Sequence, residues 1–167
     1  MSAPSLLLVD DEPQIVRALT PALQAAGYAV DVAATGEEAL ARVAAAPCDV
    51  VVLDLGLPDL DGKDVLRRLR SWSDAPVIVL SARDLESEKI AALDAGADDY
   101  VNKPVGIGEL LARLRAVLRG RDRRFAAQAV FRSAELSIDF ALRRVALEEQ
   151  EVHLTPREYD LLSALAR

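Results

Sequence analysis

Short apolar runs recur along the first 120 residues, at 5–9, 29–33, 50–53, 77–80 and 100–101. Each has the length of a strand buried on both faces. Between them the apolar spacing widens to the helical period. Ile15, Leu19, Leu23 and Ala26 form one face of a first helix, with Pro13 suited to its opening turn and Gly27 to its end. Four more helices are predicted over 37–46, 64–70, 87–95 and 108–119, the fourth closed by Gly96. Strands alternating with helices in this way imply a doubly wound α/β fold, a five-stranded parallel sheet covered on both faces. Ligands of such sheets bind outside the carboxyl ends of the strands.

The pattern changes after Arg119, Arg121, Asp122, Arg123 and Arg124. That charged cluster reads as a boundary, dividing the chain into a domain over 1–120, a linker over 121–129 and a second part over 130–167. In the second part the period is two, with short antiparallel strands expected at 130–132, 135–138, 143–147 and 151–154. A helix then opens: Thr155 suits the N-cap, Pro156 the first helical position, and Glu158 completes a capping box. Leu161, Leu162 and Leu165 follow on one face.

Composition narrows the function classes. The chain has 167 residues and a formal net charge of −7. Residues 1–120 carry 12 basic and 19 acidic side chains, and 121–167 carry 8 of each, so the imbalance belongs to the first part. An acidic domain is a poor passive binder of nucleic acid or anionic membrane. One cysteine and one histidine exclude an internal disulfide framework and a cysteine-based zinc cluster. No apolar run is long enough to span a bilayer, and the start of the chain lacks a basic segment and reaches Asp10 too soon for a signal peptide. No membrane partner is expected, and a bacterial-type cytoplasmic protein fits this composition.

The chemistry collects at predicted strand ends. Asp10 and Asp11 follow the first strand and Asp54 the third. A parallel sheet puts these ends on one edge, where converging carboxylates repel unless a cation relieves them. Mg²⁺ suits them: it takes oxygen ligands, keeps several waters and needs only one or two carboxylates. Ser81 follows the fourth strand, and Lys103 follows the fifth. A hydroxyl and an ammonium beside a carboxylate–metal site suit a phosphoryl group, which an aspartate can carry as an acyl phosphate. Taken singly, each of these residues has a plainer reading as a helix cap, a turn residue or a solvated lysine. The set together does not.

These residues also carry a family resemblance. Leu8-Val9-Asp10-Asp11-Glu12, Asp54-Leu55-Gly56-Leu57-Pro58 with Asp61-Gly62, Ser81-Ala82, and Gly96-Ala97-Asp98-Asp99-Tyr100 with Lys103-Pro104 resemble the receiver domain of two-component response regulators. The second part, with Leu154-Thr155-Pro156-Arg157-Glu158-Tyr159, resembles the start of the winged-helix effector domain of the OmpR/PhoB subfamily. Stretches such as Pro76-Val77-Ile78-Val79-Leu80-Ser81-Ala82-Arg83 are similar to those of regulators of a high-affinity potassium-transport operon. The resemblance implies a flavodoxin-like receiver in which Asp54 accepts phosphate from a sensor histidine kinase. It implies Mg²⁺ held by Asp11, Asp54 and the Gly56 carbonyl, with Asp10 assisting through water. Lys103 would contact the phosphoryl, Ser81 would move to bond it, Tyr100 would turn inward behind Ser81, and the Lys103–Pro104 bond would be cis. Ser81 stands where threonine is common, and Val105 where the subfamily often has phenylalanine. Such a protein is not an enzyme, beyond slow self-dephosphorylation.

Phosphorylation adds about −1.5 to −2 charge units, which must bias a two-state element to act at a distance. The resemblance implies a homodimer on phosphorylation, through the fourth helix, fifth strand and fifth helix. Lys89 with Glu109, Asp99 with Arg113 and Asp94 with Arg115 would pair across a two-fold axis around Ile90, Leu93 and Leu111. The plainer reading of these charges is a solvated face. In the resembled effector domain a third helix enters the DNA major groove. The sequence stops in the first helix, so specific promoter binding is expected of a full-length parent and not of this chain. A phospho-acceptor or protein-interaction module without DNA output is the alternative.

Other motifs read as decoys. Asp59-Leu60-Asp61 resembles the Asp-x-Asp of haloacid-dehalogenase-type phosphohydrolases, but it follows Pro58 rather than a buried strand. His153 is expected in a strand as a packed or surface residue, Cys48 as a small buried hydrophobe, and Trp72 packed at the end of the third helix.

Overall fold

The computed structural model describes residues 3–140, 142–148 and 150–166. Met1, Ser2 and Arg167, the outer limits of the two expected domains, lie outside the described residues. The chain divides between Leu118 and Arg119 into two compact units.

The first unit alternates β1 (Ser5–Val9), α1 (Pro13–Ala25), β2 (Ala29–Ala33), α2 (Gly36–Ala45), β3 (Val50–Leu53), α3 (Gly62–Arg70), β4 (Val77–Ser81), α4 (Glu86–Asp94) and β5 (Asp99–Asn102), followed by α5 (Ile107–Gln128). Its strands form one parallel sheet in the order β2-β1-β3-β4-β5. Alternate residues of the inner strands face opposite ways. Leu6, Leu8, Val50, Val52, Ile78 and Leu80 pack with Leu19 and Leu23 of α1 and Leu110 and Leu114 of α5. Leu7, Val9, Val51, Leu53 and Val77 pack with Ala39 and Val43 of α2 and Val65, Leu66 and Leu69 of α3. Leu55, Val79 and Tyr100 pack on Ala92 of α4. Burial on both faces holds for β1, β3 and β4. β2 departs from the expectation: Ala29 and Asp31 are exposed, because β2 is an edge strand.

The expected linker is the larger departure. Residues 121–128 are helical, continuing α5. The segment holds no proline, and arginine and alanine are strong helix formers. The single Gly120 costs about 1 kcal/mol, too little to end a long helix. Charge density marked a boundary but not a break in the backbone.

In the second unit β6 (Val130–Arg132), β7 (Leu136–Asp139), β8 (Arg144–Leu147) and β9 (Gln150–Val152) form an antiparallel sheet in chain order, followed by α6 (Pro156–Leu165). The predicted capping box is present, Glu158 Oε2 accepting from the Thr155 amide at 2.8 Å. Ile138, Val145 and Tyr159 form the core of the unit. Arg143, at φ 50° in the β7–β8 turn, lays its guanidinium 4.3 Å from the centre of the Tyr159 ring. This sheet and helix are what the opening of a winged-helix domain requires. His153 lies just past β9 and is exposed, not within a strand.

Candidate functional site

The site lies at the carboxyl edge of the first unit's sheet. Asp10 immediately follows β1 and Asp54 immediately follows β3, and these neighbouring strands share register from Leu6–Val50 to Val9–Leu53. Register alone therefore sets the two carboxylates side by side. The Asp54 amide donates to the Val9 carbonyl at 2.9 Å, extending the ladder one step further. Both residues are buried, Asp10 at 2% and Asp54 at 6% exposure. Ser81 closes β4 and is buried. Its register partner across β4–β5 is Asn102, so Lys103 follows directly, its amide donating to the Ser81 carbonyl at 2.8 Å.

Lys103 Nζ is the hub. It lies 2.7 Å from Asp10 Oδ2, 2.8 Å from Glu12 Oε1 and 3.4 Å from Asp54 Oδ2. Burial pulls the lysine pKa down, but hydrogen bonds to Asp10 and Glu12 and the charges of Asp54 and Asp10 outweigh it, leaving it above the usual lysine value. Burial lifts the Asp10 carboxyl above its ordinary range, against the pull of Lys103 and the Glu12 amide, and the Asp54 charge adds to the lift. The Lys103–Pro104 peptide is cis.

Oxygens of Asp10, Glu12 and Asp54 lie within 4.8 Å of one another. This set is hard and all-oxygen, and the single Lys103 ammonium offsets only one of three carboxylate charges, so the chemistry fits a divalent cation such as Mg²⁺. Because Lys103 Nζ contacts all three residues, a cation must use oxygens that the ammonium does not. Gly56 is close by: a Cβ there would stand 3.5 Å from Asp54 Oδ2. Asp11 is exposed and is not in the carboxylate group; Glu12 is. Glu12 is the residue sequence reasoning missed. Its only signal was its place beside Asp10-Asp11 at the mouth of a helix.

The Ser81 hydroxyl accepts from the Arg83 amide at 3.2 Å. Tyr100 is buried, and its hydroxyl donates to the Arg83 carbonyl. Inward placement of Tyr100 is thus present in the chain as it stands. Arg83 also pairs with Asp61 at 2.9 Å and Glu88 at 3.1 Å, and Lys63 pairs with Glu88 at 2.9 Å. This network joins the starts of α3 and α4. Asp61 and Lys63 meet Arg83 and Glu88 across more than twenty residues, so no spacing signals the network.

On the expected dimer face, Lys89, Ile90, Leu93, Asp94 and Arg115 are exposed. Leu111, on α5, is half-buried and packs onto the core. Arg113 of α5 reaches Asp99 of β5 at 2.9 Å and Glu109 at 2.8 Å within the chain. The Asp99–Arg113 pair expected across a two-fold axis is therefore already made inside one subunit. Among the decoys, Asp59 accepts from the Gly36 and Glu37 amides at 2.8 and 2.9 Å, tethering α2. Asp61 caps α3 through the Lys63 amide at 2.8 Å. Cys48 is half-buried against the α2–α3 side of the core. Trp72 is 48% exposed rather than packed, lying two residues past the end of α3 at Arg70.

A parallel sheet in this order, with an acidic pocket, a hydroxyl and a lysine at one edge, defines a receiver module. The family model described as the response regulator receiver domain matches residues 6–115. The chain belongs to the response regulators of two-component systems, and within them it is KdpE-like and of the OmpR type. It is 54% identical over 166 residues to the transcriptional regulatory protein KdpE of Mycobacterium tuberculosis (strain ATCC 25618 / H37Rv), covering 97% of this chain and 72% of that one. It is 50% identical over 161 residues to the KDP operon transcriptional regulatory protein KdpE of Escherichia coli (strain K12), covering 96% and 72%. Among solved structures, the response regulator DrrB of Thermotoga maritima, an OmpR/PhoB homolog, aligns with a TM-score of 0.64 at 30% identity, covering 99% of this chain and 73% of that one. The BeF3-activated receiver domain of Klebsiella pneumoniae RstA aligns with a TM-score of 0.67 at 33% identity, covering 69% and 98%. Among the described residues no helix is long and apolar enough to cross a membrane.

Proposed function

We propose that Asp54 accepts a phosphoryl group from the phosphohistidine of a sensor kinase. A carboxylate oxygen of Asp54 bonds to phosphorus as the phosphorus–nitrogen bond breaks, and the imidazole leaves with the electron pair. The ammonium of Lys103 neutralises the phosphoryl oxygens and the hydroxyl of Ser81 donates to one of them. Of the ligands the resemblance implies, Asp10 and Asp54 lie together and, with the Gly56 carbonyl, would hold Mg²⁺; Asp11, exposed and outside the carboxylate group, would have to turn inward to join them. Bound there, the cation supplies charge neutralisation for the transferring group. The observation that carries this reading is the contact of one buried lysine with both strand-end aspartates, with a buried serine at the next strand end. The chain accepts phosphate rather than turning over a substrate.

Ser81, whose oxygen accepts from the Arg83 amide, turns its hydroxyl to donate to a phosphoryl oxygen, and that turn breaks the amide bond and loosens the β4–α4 segment. The exposed Ile90 and Leu93, ringed by Lys89, Asp94 and Arg115, form the surface through which two phosphorylated copies associate. In the full-length regulator this pairing would bring two DNA-binding domains to a promoter, that of a potassium-transport operon, under a KdpD-like kinase; the description of one relative as a KDP operon transcriptional regulatory protein supports the operon, not the kinase. The test is phosphotransfer from radiolabelled sensor kinases to this chain. Label is expected on the wild type with Mg²⁺ and none on Asp54→Asn. Equal labelling of Asp54→Asn refutes the assignment.

A further inference from the structure

Glu12 carries an unused clue. It occupies the N-cap position of α1, with φ −82° and ψ 108°, yet its side chain makes no capping hydrogen bond. Proline follows at the first helical position, and the first turn of α1 holds no acidic residue. The helix start therefore lacks the side-chain acceptor that helix N-termini favour. Glu12 sends its carboxylate instead across to Lys103, 2.8 Å away, with Gln14 Nε2 donating to its other oxygen at 3.2 Å. The three carboxylates around Lys103 also differ in freedom. The side chains of Asp10 and Asp54 are 1% and 7% exposed, and that of Glu12 is 42% exposed.

We infer that Glu12 is a displaceable counter-ion for Lys103: it holds the ammonium until a phosphoryl group arrives, then gives way. This rests on the phospho-acceptor reading of Asp54 and adds a role for a residue that reading does not use. Lys103 is the cation in contact with the acceptor, so an incoming phosphoryl competes with Glu12 for it. An anionic phosphoryl and the Glu12 carboxylate on one ammonium repel each other. Asp10 is walled in and cannot withdraw. Glu12 can, and the uncapped start of α1 gives its carboxylate a favourable place to go. Glu12 is thus a positioning residue that keeps Lys103 aimed into the pocket and opposes phosphoryl capture.

The test uses the full chain, beryllofluoride with Mg²⁺ as the acyl-phosphate analogue, and Glu12→Gln, which keeps size and removes charge. Removing one partly exposed charge should tighten beryllofluoride binding by about three- to tenfold. Affinity for Mg²⁺ alone, followed by amide shifts near Asp54, should stay within about twofold of wild type. In a structure of the wild-type beryllofluoride complex, Glu12 should stand more than about 4 Å from Lys103 Nζ. Unchanged or weaker beryllofluoride binding by Glu12→Gln overturns the inference, as does a Glu12–Lys103 pair that persists in the complex. A roughly tenfold loss of Mg²⁺ affinity makes Glu12 a metal ligand instead and also overturns it. Failure of the wild type itself to bind beryllofluoride would count against the acceptor reading rather than against Glu12.

Discussion

Replacing Lys103 with methionine tests the electrostatics of the pocket. The substitution keeps an apolar stem and removes the charge that three carboxylates share, whose oxygens lie within 4.8 Å of one another. At that range and an effective dielectric constant of about 20, each like-charged pair repels by about 3–4 kcal/mol. Two routes lower the cost: Glu12 can turn to solvent, and Asp10, already lifted by burial, can take a proton. Removing one partner of a buried pair costs about 3–5 kcal/mol, so with these escapes we expect Lys103→Met to lose roughly 2–3 kcal/mol at pH 7. The sign with pH follows from Asp10. Its folded pKa lies above its unfolded value and rises further in the variant, so the folded state holds the extra proton. Stability of the variant therefore falls as pH rises through that window, and the deficit shrinks on acidification. Urea unfolding followed by circular dichroism at several pH values reads this directly. A loss below about 0.5 kcal/mol, or one independent of pH between about 5 and 8, would refute the hub role of Lys103.

Three further outcomes follow from other contacts. Arg70 donates to the Gly96, Ser73 and Ala75 carbonyls at 2.9, 3.3 and 2.7 Å and pairs with Asp98 at 2.9 Å, so Arg70→Ala should cost about 2–3 kcal/mol in urea unfolding without altering phosphotransfer. The Asp61 carboxyl is pushed up by burial but held below its usual range by the Lys63 amide and Arg83. Its stabilisation is present above the unfolded carboxyl value and disappears as pH falls through the folded one, so Asp61→Asn should be less stable than wild type at neutral pH and converge with it in strong acid. Arg113→Glu breaks the pairs with Asp99 and Glu109 and should weaken beryllofluoride-dependent dimerisation in sedimentation; an unchanged dimer mass would remove this face from the association.

The parallel sheet and the convergence of the carboxylates at its edge were legible because strand length and strand-end position are local properties. Asp10, Asp54, Ser81 and Lys103 each sit at or just past a strand terminus, and parallel pairing does the rest. The resemblance added roles to those positions. What stayed hidden depends on side chains choosing distant partners. Glu12 looks like a helix cap and turns away from its helix. Arg83 and Glu88 meet Asp61 and Lys63 across more than twenty residues. Asp99 and Arg113 pair within one subunit, which no sequence spacing distinguishes from pairing between two. The extension of α5 is not legible from charge density, because an arginine cluster suits a linker while its intrinsic preference is helical.

The beginning of α3 presses against Asp54, the proposed acceptor. A Cβ on Gly62 would stand 2.5 Å from the carbonyl oxygen of Asp54 and 2.6 Å from the Cα of Leu55. With its amide tied to Val9 on the other side, Asp54 has a main chain clamped in place. A rigid acceptor transmits nothing by moving. We expect the phosphoryl's effect to leave the site through the groups that can yield, the partly exposed Glu12 carboxylate and the segment from Ser81 to Arg83.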